Sequence, residues 1–457
     1  MTKIQNFKSK IQNPPNMDLI EKDLKYIWHP YTQMKDCLNL PPILIERAEG
    51  VALYDISGNL YYDTIASWWC NVHGHCHPRI ISAIKEQIEK LDHILFAHFT
   101  HKNAICLAER LISITPKCLT KIFFSDNGST SIEVALKMSF QYWKNLGYKE
   151  KKAFLSLDLG YHGDTMGAMS LSGVFNRAFK DLFFSSYRAK SPYCYRCPRE
   201  LSRESCNISC IDSMEKILEQ KASKICGVII EPLVLGAAGM IVYPKEYLEK
   251  VGSLCKKHNV HLILDEVATG FGRTGKMFAC EYVNISPDFL CLSKGITSGW
   301  LPLGATLTTN EIYQAFYGEY KKTFFHGHTY TANPISTRVA LESLKLFEEE
   351  RTLERVGKII PKFHKNLERF RELDIVGDVR YIGLIGAFEL VKNKKTKKPF
   401  PPKERIGFEV YKEGLKNGLI LRPLENVIYL FPPLSIKEDE LNDILEKTYF
   451  LFSHLRF

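Results

Sequence analysis

The chain has 457 residues, 45% of them hydrophobic and 25% charged, and a net charge of +10. That length supplies a large core and argues for two or three domains, while the positive charge is spread out and lacks the aromatic-interleaved stripe of a nucleic-acid binder. No stretch approaches the roughly 18 apolar residues of a membrane span, and Met1–Gln5 lacks the apolar core of a secretory signal, so a cytoplasmic protein is expected.

In chain order, residues 1–25 are polar and read as a loose segment, and strands are expected around residues 43–63. From about 110 to 330, short apolar runs (Ile122-Phe123-Phe124, Gly227-Val228-Ile229-Ile230, His261-Leu262-Ile263-Leu264) alternate with amphipathic helices. Such alternation predicts a mostly parallel sheet flanked by helices. After about 335 the pattern changes. Helices over 335–350 and 351–372 lead to two antiparallel strand pairs, and a last helix closes the chain. One pair lies near 376–391; the other joins Leu419–Arg422 to Val427–Phe431 through Glu425-Asn426. The partition expected is an N-terminal segment, 1–65, packing with the small domain, a large domain, 66–334, and a smaller α+β domain, 335–457. Lys392–Lys398, the densest basic run, reads as a solvated loop. The thirteen cysteines, an odd number mostly inside apolar runs, fit reduced thiols better than a disulfide framework.

Chemistry is legible at three places. Leu262-Ile263-Leu264-Asp265-Glu266 reads as a buried strand with two carboxylates at its carboxyl end, the edge where open α/β sheets bind ligands. Leu290-Cys291-Leu292-Ser293-Lys294 ends the same way in a lysine. A lysine partly removed from water loses its proton readily and becomes a nucleophile. Such a pair suits a pyridoxal cofactor, which needs a lysine to form the imine and an acid to keep its ring nitrogen protonated. Two charges reaching water from two strand ends would look the same. In Phe123–Glu133 a strand and a glycine turn open a helix, with Thr130 and Glu133 read as a capping box. The free N–H groups at such an end are a phosphate site, although any well-capped helix resembles one. Gly160-Tyr161-His162-Gly163 sets an aromatic between glycines, either to lie flat on a planar ring or as an ordinary turn.

Together these residues resemble the class III (ω-amino) aminotransferases, pyridoxal-phosphate enzymes of fold type I. The pieces are Asp265-Glu266-Val267-Ala268-Thr269-Gly270-Phe271-Gly272-Arg273-Thr274-Gly275, Ser293-Lys294-Gly295, Tyr161-His162-Gly163 and His326-Gly327-His328-Thr329-Tyr330. The resemblance runs from about residue 26 to the end. It implies an α/β fold, with a mostly parallel sheet in the large domain and a smaller α+β domain beside it. It also implies pyridoxal 5′-phosphate as cofactor and a homodimer with shared active sites. Lys294 is then the catalytic Schiff-base lysine and Asp265 the partner of the pyridine nitrogen. Gly128 and Ser129 hold the phosphate, joined by Thr329 and the His328 backbone from the neighbouring subunit. Tyr161 stacks on the ring, and Glu231 stands close to the cofactor.

Within the family, Trp28-His29-Pro30-Tyr31-Thr32-Gln33-Met34, Ser67-Trp68-Trp69, Tyr282–Asp288 and Arg422-Pro423 are similar to the biotin-pathway branch. That similarity implies 8-amino-7-oxononanoate as acceptor, 7,8-diaminononanoate as product and S-adenosylmethionine as amino donor. Tyr31, Trp68, Tyr161, Lys294, Gly327 and Arg422 would touch substrate, with Tyr429 near the donor. The alternatives are lysine as donor, or another branch using ornithine, 4-aminobutyrate or a β-amino acid. From a different class, the alternative is a non-catalytic zinc-stabilised binding protein on the same scaffold. Two features depart from the branch. His328 stands where its best-known members carry proline, and Cys194, Cys197, Cys206 and Cys210 fall in an insert. Their two close pairs have a spacing that zinc uses; a reduced, packed loop is the reading adopted, and no metal is assigned. His73-Gly74-His75-Cys76-His77-Pro78 likewise reads as a turn.

Overall fold

A computed structural model describes residues 17–455. Of the segment expected to be loose, residues 1–16 lie outside the described residues. The rest is helical, over Met17–Tyr26, a run containing Leu, Lys, Glu and Met with neither glycine nor proline to break it. Next come antiparallel strands β1 (Ile45–Glu49), β2 (Ala52–Asp55) and β3 (Leu60–Tyr62). This small sheet is tied to the far end of the chain. Tyr62 N donates to the Gly418 carbonyl at 2.8 Å, and the Tyr62 carbonyl accepts from Ile420 N at 3.2 Å.

The central sheet takes strands from the middle of the chain: β4 (Leu119–Ser125), β5 (Ala153–Leu157), β6 (Tyr187–Ala189) and β7 (Ile225–Ile230). After a two-stranded ribbon, β8 (Val234–Leu235) and β9 (Ile241–Val242), come β10 (His261–Asp265), β11 (Phe289–Leu292) and β12 (Gly304–Thr309). The seven central strands lie in the order β4-β12-β11-β10-β7-β5-β6. All are parallel except β12, which runs against both neighbours. Every residue of β7 and β10 is buried, as helices covering both faces of a parallel sheet require. The carboxyl ends of β5, β7, β10 and β11 therefore share one edge, and the cavity opens there.

The C-terminal part begins with helices Pro334–Glu349 and Thr352–Glu368. The hairpin β13 (Val376–Ile382) with β14 (Ile385–Asn393) follows, then β15 (Lys398–Pro399) and β16 (Val427–Leu430). Lys392–Lys398 forms the exposed turn at the β14–β15 junction. The first expected strand pair is present, but the second is not. Leu419–Arg422 forms no hairpin with β16, which pairs instead with β14 from Glu389↔Val427 to Gly386↔Leu430. Tyr62 takes the backbone of Leu419's neighbours, and Pro423, without an N–H, cannot extend a ladder.

A buried guanidinium joins the two parts. Arg380 on β13 donates to the carbonyls of Gly239 and Met240, at 2.6 Å and 3.0 Å for the shortest contact to each. It also pairs with Asp378 and Glu389, each at 2.9 Å. Arg196 of the cysteine-bearing insert reaches the same Glu389 at 2.6 Å. One apolar cluster runs through both parts, from Leu264 to Phe388. Among the described residues no helix is long and apolar enough to cross a membrane.

Candidate active site

Asp265 and Lys294 arrive from neighbouring parallel strands. Asp265 is 4% exposed at the end of β10. Its Oδ2 accepts from His162 Nδ1 at 2.8 Å and its Oδ1 from Val267 N at 3.1 Å. Lys294 follows β11 in the left-handed region, φ 47°, and its Nζ stands 4.5 Å over the Trp69 ring. Removal from water pushes the ammonium's pKa down, and the carboxylates of Asp265 and Glu231 act against that. A lysine so placed is a proton acceptor nearer neutrality than a surface lysine.

The helix Gly128–Asn145 points its N-terminus into the same space. Its cap differs from the expected one. Asn127 accepts from Thr130 N at 3.0 Å, and Thr130 Oγ1 accepts from Asn127 N at 3.1 Å. Glu133 is used elsewhere: its Oε1 accepts from Thr165 Oγ1 and Gly167 N at 2.7 Å, capping the helix Met166–Leu171. Gly128 is required by space, since a Cβ there would lie 2.6 Å from Val267 Cγ1. Gly163, φ +120°, lies so close that a Cβ would stand 1.9 Å from Ser129 Oγ. Ser129 Oγ accepts from Asp164 N at 3.1 Å.

Tyr161 lines the cavity, and its N–H donates to Glu231 Oε1 at 3.0 Å. The other oxygen of Glu231 accepts from Gly236 N at 2.9 Å. Burial, helped by Asp265, pushes the Glu231 carboxyl up to about 7, against the pull of His162. Tyr31 donates to the Asp164 carboxylate at 2.7 Å, and desolvation pushes its phenol up to about 12. The Arg422 guanidinium lies 4.3 Å over the Trp68 ring, and the edge of Tyr31 meets Trp68 at 5.6 Å.

The cavity these residues line measures about 750 Å³. It brings together Tyr31, Trp68, Gly128, Ser129, Tyr161, Glu231, Asp265, Lys294 and Arg422. Three expected residues stand apart: Gly327, His328 and Thr329 are not in its lining, and Gly327 and Thr329 are exposed. Tyr429 is fully buried behind the wall, its hydroxyl accepting from Trp69 Nε1 at 3.0 Å. The sequence reading assigned no role to Trp69, His162, Cys70 or Asp164, which also line the cavity. His162 was inside a quoted motif, but only the fold shows its ring against Asp265. Trp69 belongs to a stretch that periodicity cannot read. Ala66, Ser67, Trp68 and Trp69 are all left-handed, with φ between 45° and 77°, a conformation costing non-glycine residues roughly 1–2 kcal/mol each.

Pyridoxal phosphate suits this donor set. The buried Asp265 matches a cationic ring nitrogen, the helix N-terminus with Ser129 a phosphate, and Tyr161 a planar ring. His162 is tied to the carboxylate through Nδ1, while its Nε2 is buried without a hydrogen-bond partner among the described residues. The cysteines Cys194, Cys197, Cys206 and Cys210 are free thiols bordering one small recess. Among the described residues no group of three or more His, Cys, Asp or Glu could hold a metal ion. The three imidazoles of the 73–77 run go to three different partners: His73 to Ser343, His75 to Asp63 and His77 to Glu350.

Comparison with known proteins agrees with this geometry. Residues 33–449 match the sequence model of the aminotransferase class-III family. The adenosylmethionine-8-amino-7-oxononanoate aminotransferase of Geobacter sulfurreducens is 47% identical over 93% of this chain and 96% of its own. The solved structure of the enzyme of that name from Methanocaldococcus jannaschii is 45% identical, with a TM-score of 0.90 over 95% of this chain and 99% of its own. An omega transaminase from Pseudomonas jessenii in complex with PMP also reaches a TM-score of 0.90, at 34% identity, over 95% of this chain and 97% of its own. Backbone shape therefore does not separate these two enzymes, whereas sequence does. The chain belongs to the class-III aminotransferases, pyridoxal-phosphate-dependent enzymes of fold type I.

Proposed function

We propose that this chain aminates 8-amino-7-oxononanoate to 7,8-diaminononanoate, the biotin-pathway step, with S-adenosylmethionine as donor. The observation that carries the reading is Arg422. Its guanidinium makes no ion pair among the described residues, and it borders both the catalytic cavity and an adjoining one of about 610 Å³. A guanidinium free of carboxylates over a tryptophan suits the remote carboxylate of a long amino ketone through a bidentate contact. Trp68, Tyr31 and Tyr161 would flank its aliphatic chain and keep water out.

Asp265, Ser129, Gly128, Tyr161 and Glu231 would hold the cofactor, with Lys294 as its covalent anchor. Bound there, pyridoxal phosphate supplies an electron-accepting ring that makes the donor's α-proton removable. Lys294 acts through Nζ, which takes that proton and delivers it again, general acid–base help typically worth 10²–10⁴-fold. His162 keeps the Asp265 carboxylate oriented. Gly327, His328 and Thr329, outside the lining of this chain's own cavity, fit a homodimer in which they face the partner's phosphate. We place the enzyme in the cytoplasm.

The test is a donor panel of S-adenosylmethionine, lysine, ornithine and alanine against 8-amino-7-oxononanoate, read by product mass. Diaminononanoate with S-adenosylmethionine is expected. Product with lysine alone would move the donor assignment, and no diaminononanoate with any donor would overturn the acceptor.

A further inference from the structure

We propose that Asp63 and His75 are positioning residues that hold the tryptophan wall of the cavity in its left-handed turn. Ala66–Trp69 contains no glycine, yet all of its residues have positive φ. Such a stretch persists only where its surroundings over-determine it. Its own backbone offers little: Trp69 N bonds to the Ile65 carbonyl, and Cys70 N and Asn71 N share that of Ala66.

Cys70 Sγ adds a bond to the Ser67 carbonyl at 3.2 Å, and the restraint that reaches outside the turn to Ser67 comes from Asp63, which is 1% exposed. Its Oδ1 accepts from Ser67 N at 2.8 Å, and its Oδ2 accepts from Ser67 Oγ at 2.7 Å and from His75 Nε2 at 2.9 Å. His75 is itself fixed. Its N–H donates to the Gly50 carbonyl at 2.7 Å, and its carbonyl accepts from Gly50 N at 3.2 Å. The latch therefore runs from the β1–β2 turn through His75 and Asp63 to Ser67. Neither Asp63 nor His75 lines the cavity.

What the latch delivers is the direction of two indoles. Trp68 leaves the turn toward Arg422 and Tyr31, and Trp69 toward Lys294 and Tyr429. If Ser67 relaxed to ordinary negative φ, both rings would swing away from these partners together. The lysine, the cofactor carboxylate and the phosphate corner belong to other elements and would stay in place. Loss of the latch should thus weaken substrate binding while leaving the chemistry, so KM rises and kcat persists.

The experiment compares wild-type holoenzyme with Asp63→Asn, His75→Ala and His75→Gln. Glutamine can still donate one hydrogen bond to Asp63; alanine cannot. The first measurement is amide hydrogen exchange, which needs no substrate. Peptides over 65–72 should exchange about tenfold faster in Asp63→Asn and His75→Ala, with the β7 peptide unchanged. The second rests on the proposed function: KM for the acceptor should rise about tenfold with kcat kept within about threefold, and His75→Gln should recover most of it. Unchanged exchange over 65–72 would overturn the proposal. So would loss of protection spreading to β7, or kcat and KM failing together, because either marks general destabilisation. If wild type itself makes no diaminononanoate, the proposed acceptor is wrong, while exchange still decides the latch.

Discussion

Replacing Gly163 by alanine tests the phosphate corner. The added Cβ would stand 1.9 Å from Ser129 Oγ, 2.7 Å from its Cβ and 3.0 Å from its Cα. Turning the hydroxyl away relieves only the first of these contacts. The Cα cannot follow, because Ile132, Ala135 and Leu136 anchor its helix in the core, so the 160–164 loop has to give. Backbone strain at φ +120° costs about 1–3 kcal/mol, and the lost Asp164–Ser129 hydrogen bond about 1 kcal/mol. Fold stability should therefore fall by roughly 2–4 kcal/mol, read as the urea midpoint of the apoprotein. In the proposed cofactor site, Ser129 Oγ would also lose its aim at the phosphate, a charge-assisted bond worth about 1.5–3 kcal/mol. Cofactor affinity should fall roughly 10–100-fold, measured by equilibrium dialysis of pyridoxal phosphate. Affinity within about twofold of wild type would refute the reasoning, since Ser129 would then not be a phosphate ligand.

Three further outcomes are expected. Tyr429→Phe leaves the buried Trp69 Nε1 without its acceptor, and urea denaturation should show a loss of about 1–3 kcal/mol. Glu231→Gln probes linkage. The native carboxyl is raised to about 7 from 4.5, so its ionisation costs native stability progressively as pH climbs through that window. Relative to wild type the variant should gain up to about 3 kcal/mol between roughly pH 5 and 8; a pH-independent difference would contradict the assigned burial. Arg380→Met strips Glu389 and Asp378 of a buried partner and should cost about 3–5 kcal/mol in thermal or urea denaturation. A smaller loss would mean that Arg196 and the Tyr193 hydroxyl suffice for Glu389.

Some of this molecule was legible early because it obeys local rules. A buried apolar run ending in charge marks the carboxyl edge of a parallel strand, and both Asp265 and Lys294 could be found that way. The helices expected over 335–350 and 351–372 stand at 334–349 and 352–368, the second followed by a short 3-10 turn over 369–372. Elsewhere non-local partners took precedence. Leu419–Arg422 looked like half of a hairpin until Tyr62, far away in sequence, claimed its backbone. Thr130 and Glu133 had cap-box spacing, yet Asn127 stands one residue before the helix and takes the N-cap, freeing Glu133 to reach across to another helix. The Trp68-Trp69 pair carries no glycine to betray a left-handed turn, and the Asp63–His75 restraint becomes visible only when Gly50 is brought alongside.

The reversed strand β12 has a mechanical meaning. In a parallel crossover, a segment leaving one strand returns at the opposite edge, and its middle is free to drift. Here the chain leaves β11 at Leu292 and re-enters β12 at Gly304, with Leu292 beside Ala305. Ser293 Oγ bonds to the Leu303 carbonyl at 2.8 Å, and Thr297 Oγ1 to that of Leu301 at 2.7 Å. The lysine thus stands on a short arch with both feet pinned to neighbouring rungs of the same ladder. In the proposed role, Lys294 would move by rotations about the methylenes of its side chain, over a footing held by these two hydrogen bonds. Lengthening the arch by a residue would shift the pivot itself.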